Sequence, residues 1–114
     1  MVRQVDFVIN NLKDSAMPQV VREGDLDSGH GPWPPRPAVQ GSTTVFCDNL
    51  PIVRLGDLWA QHTETVRPYE THSGVSATAS PTVFCEGKAV CYVGCTVSCG
   101  STMVTGSPDV NVNG

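Results

Sequence analysis

The chain has no run of 18 apolar residues, so no segment reads as a membrane-spanning helix. Residues 1–14, MVRQVDFVINNLKD, lack the continuous apolar stretch of a secretory signal, and the chain is expected to be made and folded in a cytoplasm. Basic side chains are scarce: seven Lys and Arg stand against eleven Asp and Glu, for a net charge of -4. This argues against a general nucleic-acid binder, which would need a basic face to neutralise phosphates, and no nucleic-acid partner is expected. Charged residues make up only 16% of the chain, so the surface must rely on Ser, Thr, Asn and Gly. Helix formers are few as well, with 5 Leu and 6 Ala against 17 Val and 10 Thr. β-branched side chains are stiff at χ1 and suit a pleated surface, which points to an all-β fold. The 11 Gly and 9 Pro imply short elements and many turns. At 114 residues this is one small domain with a limited core, which a metal or a partner surface would stabilise. Five cysteines are an odd number for a disulfide framework, and in a reducing compartment thiols more often serve metals.

What is present is an internal repeat. Residues 41–49 read GSTTVFCDN, residues 79–87 ASPTVFCEG and residues 106–114 GSPDVNVNG. A second half-unit alternates with them: VREGD at 21–25, VRLGD at 53–57 and CYVGC at 91–95. Asp48-Asn49 and Glu86-Gly87 fit two-residue hairpin turns, and Gly24, Gly56 and Gly94 mark a second set of turns. By the period of two, Val45 and Cys47 share a face, as do Val83 and Cys85, and Val110 and Val112. This smaller set is assigned to a narrow core and Phe46, Phe84 and Asn111 to the other face; size alone supports that choice over its reverse. The expected architecture is a small conical body of three pseudo-symmetric hairpin-like repeats tapering to a metal-pinned tip. Residues 1–16 precede the repeat as an extension or arm, with one strand suggested at Val5-Asp6-Phe7-Val8-Ile9; residues 17–114 form the body.

Two of the three histidines and one cysteine fall in register with the repeat. His30 follows Gly24 by six residues, His62 follows Gly56 by six, and Cys99 follows Gly94 by five. Equivalent loops would thus each offer a ligand, and His72, in a long loop reading Thr-His-Ser-Gly, supplies a fourth. Three imidazoles and one thiolate form a closed tetrahedral set suited to zinc, with iron the other candidate. Cys95 aligns with Asp25 and Asp57 and competes with Cys99 for this role. Cys91, Cys47 and Cys85 align with valines and are expected to pack rather than react.

These half-units resemble the PAAR-repeat family, most closely in GSPDVNVNG at the C-terminus and Ser-Pro-Thr-Val-Phe at 80–84. The resemblance spans residues 17–114. The PAAR tetrapeptide itself is absent, Cys95 stands where an Asp is usual, and the loop between His30 and Ser42 is rich in proline. The resemblance implies a non-enzymatic tip that caps and sharpens a trimeric β-helical, membrane-puncturing spike. It would sit at a contractile phage tail baseplate or, alternatively, at a type VI secretion tube. It also implies tip zinc on His30, His62, His72 and Cys99, one tip per spike trimer and transient contact with a target membrane. The docking base would lie at Asp48, Asn49, Glu86, Gly87, Asn113 and Gly114. The chain ends at its third turn, which is expected to make it a bare tip.

Other functions compete with this one. A cysteine or zinc hydrolase would need a nucleophile motif or an open metal position, and neither is evident. A free-standing zinc-binding module needs no partner. Pro32-Trp33-Pro34-Pro35-Arg36-Pro37 reads either as a stiff surface loop or as a polyproline ligand for a peptide-binding groove.

Overall fold

The computed structural model describes the backbone at residues 3–4 and the whole of residues 18–112. Among them there is no helix. Seven short strands occur: β1 (Arg3–Gln4), β2 (Val45–Cys47), β3 (Leu50–Pro51), β4 (Leu58–Thr63), β5 (Thr71–Val75), β6 (Phe84–Cys85) and β7 (Lys88–Ala89). β1 runs parallel to β2, which pairs antiparallel with β3; β4-β5 and β6-β7 are antiparallel pairs. The protein is all-β, as its Val and Thr content requires. The boundary expected after residue 16 and the strand expected at residues 5–9 lie outside the described residues, as do Asn113 and Gly114.

The two hairpin turns have the backbone their sequences suggest. Asp48 and Asn49 both take positive φ, 54° and 66°, between the paired residues Cys47 and Leu50. Glu86 and Gly87 do the same at 56° and 80°, between Cys85 and Lys88. Two positive φ values in a two-residue loop match the right-handed twist of the strands they join. The Glu86 carboxylate accepts hydrogen bonds at both oxygens, as described below.

The VRxGD half-units meet in a closed ring. Val21 N–H donates to Cys91 C=O (3.1 Å), Cys91 N–H to Val53 C=O (3.0 Å), and Val53 N–H back to Val21 C=O (3.0 Å). A second set repeats the pattern one turn out: Glu23 to Pro51, Leu55 to Ala89 and Val93 to Gln19, each 2.8 Å. Each segment then reverses at Gly24, Gly56 or Gly94, with φ of 96°, 87° and 106°. Successive residues of the ring face two different cores. Val20, Ile52 and Val90 pack with Val45, Cys47, Cys85, Val110 and Val112. Val21, Val53 and Cys91 pack with Ala38, Trp59, Cys95, Val97 and Met103. Small side chains dominate where three segments of the chain converge. Phe84 faces outward and is 59% exposed.

The repeated Ser has a definite task. Ser42, Ser80 and Ser107 are buried, and their N–H groups donate to Ile52, Val90 and Val20, each at 2.8 Å. Each hydroxyl oxygen accepts the N–H groups two and three residues on, at 2.9–3.2 Å. That local turn is why Val follows Ser by three positions in all three units.

Ion pairs then tie the ring to the hairpin turns. Arg22 grips Asp25 through Nε (2.9 Å) and Nη2 (3.1 Å), and Arg54 grips Asp57 the same way (2.9 and 3.0 Å). The remaining Nη1 reaches Asp48 from Arg22 (3.1 Å) and Glu86 from Arg54 (2.6 Å). Ser107 donates to Asp48 (2.5 Å), Ser42 to Glu86 (2.8 Å), and Thr44 also donates to Glu86. Tyr92 and Cys95 replace both ions in the third unit.

The hydroxyl of Thr44, then that of Ser42, hold Glu86 below its ordinary pKa; the hydroxyl of Ser107 does so for Asp48. The folded chain therefore binds these protons less readily than the unfolded chain. Their stabilisation is complete above the unfolded carboxylate range and is lost as pH falls through that range toward the lowered folded values. Asp109, raised by its contact with Asp48, offsets part of the effect at that corner. Urea melts from about pH 6 to about pH 3 should show stability falling, with a shallower fall in Glu86→Gln. An equal slope in both proteins would contradict this assignment.

Candidate metal centre

Four donors converge on the side of the second core. Among the described residues, His30, His62, His72 and Cys99 bring one ligand atom each to within 4.8 Å of the others. His72 Nε2 stands 3.0 Å from His30 Nε2 and 2.8 Å from His62 Nε2. Nitrogens around a tetrahedral zinc stand roughly 3.3 Å apart, so the histidine cluster needs only a small outward shift to admit an ion.

The ligands do not all come from equivalent loops. His62 lies in β4 and His72 in β5, directly paired across the hairpin. A register irregularity between Trp59 and His62 makes this possible. Strict alternation would put residues three apart on opposite faces, but both Trp59 (1% exposed) and His62 (4%) point inward. The expectation of loops for His62 and His72 is thus corrected to a bulged hairpin. His30 sits in a tight turn where it exchanges main-chain bonds with Trp33 (2.9 and 2.8 Å). Cys99 lies in the turn closed by Val97 N–H donating to Ser101 C=O (2.8 Å).

The donor chemistry fits a zinc-like ion. His62 Nδ1 lies 2.8 Å from the Pro34 carbonyl and can only donate to it, which leaves Nε2 its lone pair. Burial, then the neighbouring His62, lower the pKa of both His30 and His72, with the Arg36 charge acting in the same sense. Imidazoles so lowered are neutral and able to ligate near neutral pH. No carboxylate joins the set, which disfavours calcium and magnesium.

The family model of the PAAR motif matches residues 67–114. The chain carries a PAAR motif. No curated protein matches it. Proteins with this motif form a structural, metal-binding family of spike tips in contractile injection and type VI secretion machines. The matched stretch contains His72 and Cys99, while His30 and His62 precede it.

The other four thiols stand apart from the cluster. Cys95, a rival ligand by sequence, is 2% exposed within the second core and is not among the converging donors. Burial pushes Cys47 up to about 11 and Cys91 up to about 12, so both stay protonated thiols. Of the docking-base residues, Asp48, Asn49, Glu86 and Gly87 form the two hairpin turns that follow the first core.

Spacing does not reveal three residues beside the four donors. Asp27 (0% exposed) and Arg36 (2%) form a buried ion pair at 2.9 Å, and Trp33 lies against the histidines. The one available signal was the proline-rich stretch itself. Gly29 packs against it: φ is 68°, and a Cβ there would meet Trp33 O at 2.4 Å and Pro34 C at 2.7 Å. Gly29→Ala should cost well over about 1 kcal/mol, since both backbone conformation and space exclude a side chain. A urea midpoint equal to that of the parent would contradict this packing.

Proposed function

We propose that the chain is a non-enzymatic tip that caps the trimeric β-helical spike of a contractile phage tail or type VI machine. Zinc bound by His30, His62, His72 and Cys99 would pin its point. The observation that carries this reading is the closed ring of hydrogen bonds through Val21, Cys91 and Val53. One chain there presents three like segments in cyclic order, and three like faces suit three identical spike subunits. The matched Ser turns and hairpins support the same approximate threefold arrangement. The docking end is the one bearing Asp48-Asn49 and Glu86-Gly87, and Asn113 and Gly114 are their counterparts by sequence in the third unit. Leu50 (39% exposed) and Phe84 (59%), beside those turns, offer apolar contact.

At the other end, the metal ties together loop 27–36, the β4-β5 hairpin and turn 97–101, beyond the second core. A closed set of four protein donors stiffens these segments and leaves no position for a substrate, which suits a point loaded along its axis and not a catalyst. Mixing the chain with its cognate spike and weighing the complex should give one tip per three spike subunits. A complex with three tips per trimer would contradict the proposal.

A further inference from the structure

The Pro-Trp-Pro-Pro-Arg-Pro stretch is outside the repeat and outside the ring, yet it touches all four donors. The Trp33 ring stacks on His30 (centroids 5.0 Å apart, planes 28°) and lies 4.7 Å from His72. The Pro34 carbonyl accepts from His62 Nδ1 at 2.8 Å. Arg36 Nη2 donates to Cys99 Sγ at 2.7 Å. We propose that segment 33–36 is the outer shell of the metal centre and sets the orientation of all four donors before an ion binds. This rests on the metal reading above and adds to it a cause of affinity within this chain.

Each contact removes a different freedom. The carbonyl of Pro34 fixes the tautomer and rotation of His62, leaving Nε2 as the ligand atom. Trp33 flanks His30 and His72, whose rings lie nearly parallel, 6° apart, and limits their rotation. The Arg36 guanidinium fixes the sulfur on one side, so its remaining lone pairs face the nitrogens.

The segment is itself held from beneath. Asp27 Oδ1 accepts from Gly29 N–H (3.0 Å) and Arg36 N–H (3.1 Å), and Oδ2 accepts from Arg36 Nε (2.9 Å). Arg36 Nη1 donates to Ala60 C=O (2.9 Å), and Trp33 Nε1 to Glu70 C=O (3.0 Å). Thr65 N–H donates to Pro32 C=O (3.0 Å). Prolines at 32, 34, 35 and 37 restrict the backbone further, so little order remains to be acquired on binding.

The test uses the full chain with Trp33→Leu and Arg36→Gln, measuring affinity for zinc by competition with a chromophoric chelator. Cobalt(II) absorption reports tetrahedral thiolate coordination. Nitrogen-15 spectra of the metal-free parent and of Trp33→Leu report the His62 tautomer and imidazole order. Each variant should keep one metal per chain but bind it about 10–100-fold more weakly, as loss of an outer-shell partner does. The metal-free parent should already show a single His62 tautomer protonated at Nδ1. Unchanged affinity and cobalt spectrum in folded variants would overturn the outer-shell role while leaving the metal site standing. A parent chain that takes up no metal would overturn the metal reading itself. Should Arg36→Gln fail to fold because Asp27 loses its partner, Trp33→Leu decides alone, since Trp33 is only half-buried.

Discussion

Replacing His72 by Ala should strip the chain of its metal and lower the melting temperature of the loaded protein by on the order of 10 °C or more. His72 is the hub of the cluster, with its Nε2 next to those of both His30 and His62. It also comes from the opposite strand of the hairpin that carries His62, so its loss would remove a proposed ligand and a proposed tie across β4-β5. Three donors would remain, and the closed site would become an open one. Cys85→Ala is the matched control. Cys85 lies in the first core, 4% exposed, and its removal should cost about 1 kcal/mol without touching metal content. Metal analysis and melts with and without chelator separate the two. Parent-like metal retention in His72→Ala, or metal loss in Cys85→Ala, would contradict the ligand assignment.

Replacing Asp57 by Ala should destabilise the fold by about 3–5 kcal/mol, the cost of leaving a buried charge without its partner. Asp57 is 0% exposed and accepts three bonds from Arg54: from the main-chain N–H (2.8 Å), Nε (2.9 Å) and Nη2 (3.0 Å). Glu86 cannot compensate, because it meets Arg54 from the solvent side at Nη1. The chain supplies its own comparison, since Tyr92 and Cys95 occupy the matching positions of the third unit without any charge. Removing both ions at once should therefore be milder than removing one. Arg54→Tyr combined with Asp57→Cys should recover much of the loss seen in Asp57→Ala. Denaturant melts of the single and double variants measure this; a double variant less stable than Asp57→Ala would contradict it.

Much of this fold is legible in the sequence because three copies of one pattern report the same local physics. A Ser that accepts two following N–H groups fixes the GSxTV half-unit, and a Gly at positive φ fixes the end of the VRxGD half-unit. Paired left-handed residues fix the two hairpin turns. The three donors that spacing singled out, His30, His62 and Cys99, lie together with His72 in the structure. Other features are hidden for identifiable reasons. The β4-β5 hairpin is polar and its register is broken by a bulge, so neither period marks it, and Thr-His-Ser-Gly reads as loop. Asp27 and Arg36 stand nine residues apart and look like ordinary loop charges; only the chain's return path buries them against each other. Cys95 looks like a ligand beside a turn, yet it holds the inward position that Asp25 and Asp57 fill in the other units.

Metal analysis of chain purified without chelator or added metal tests the central claim most directly. The account predicts about one zinc per chain, and a melting temperature that falls when the metal is removed and recovers when zinc is restored. A fully folded chain that holds no metal, and whose melting temperature does not respond to zinc or iron(II), would contradict it.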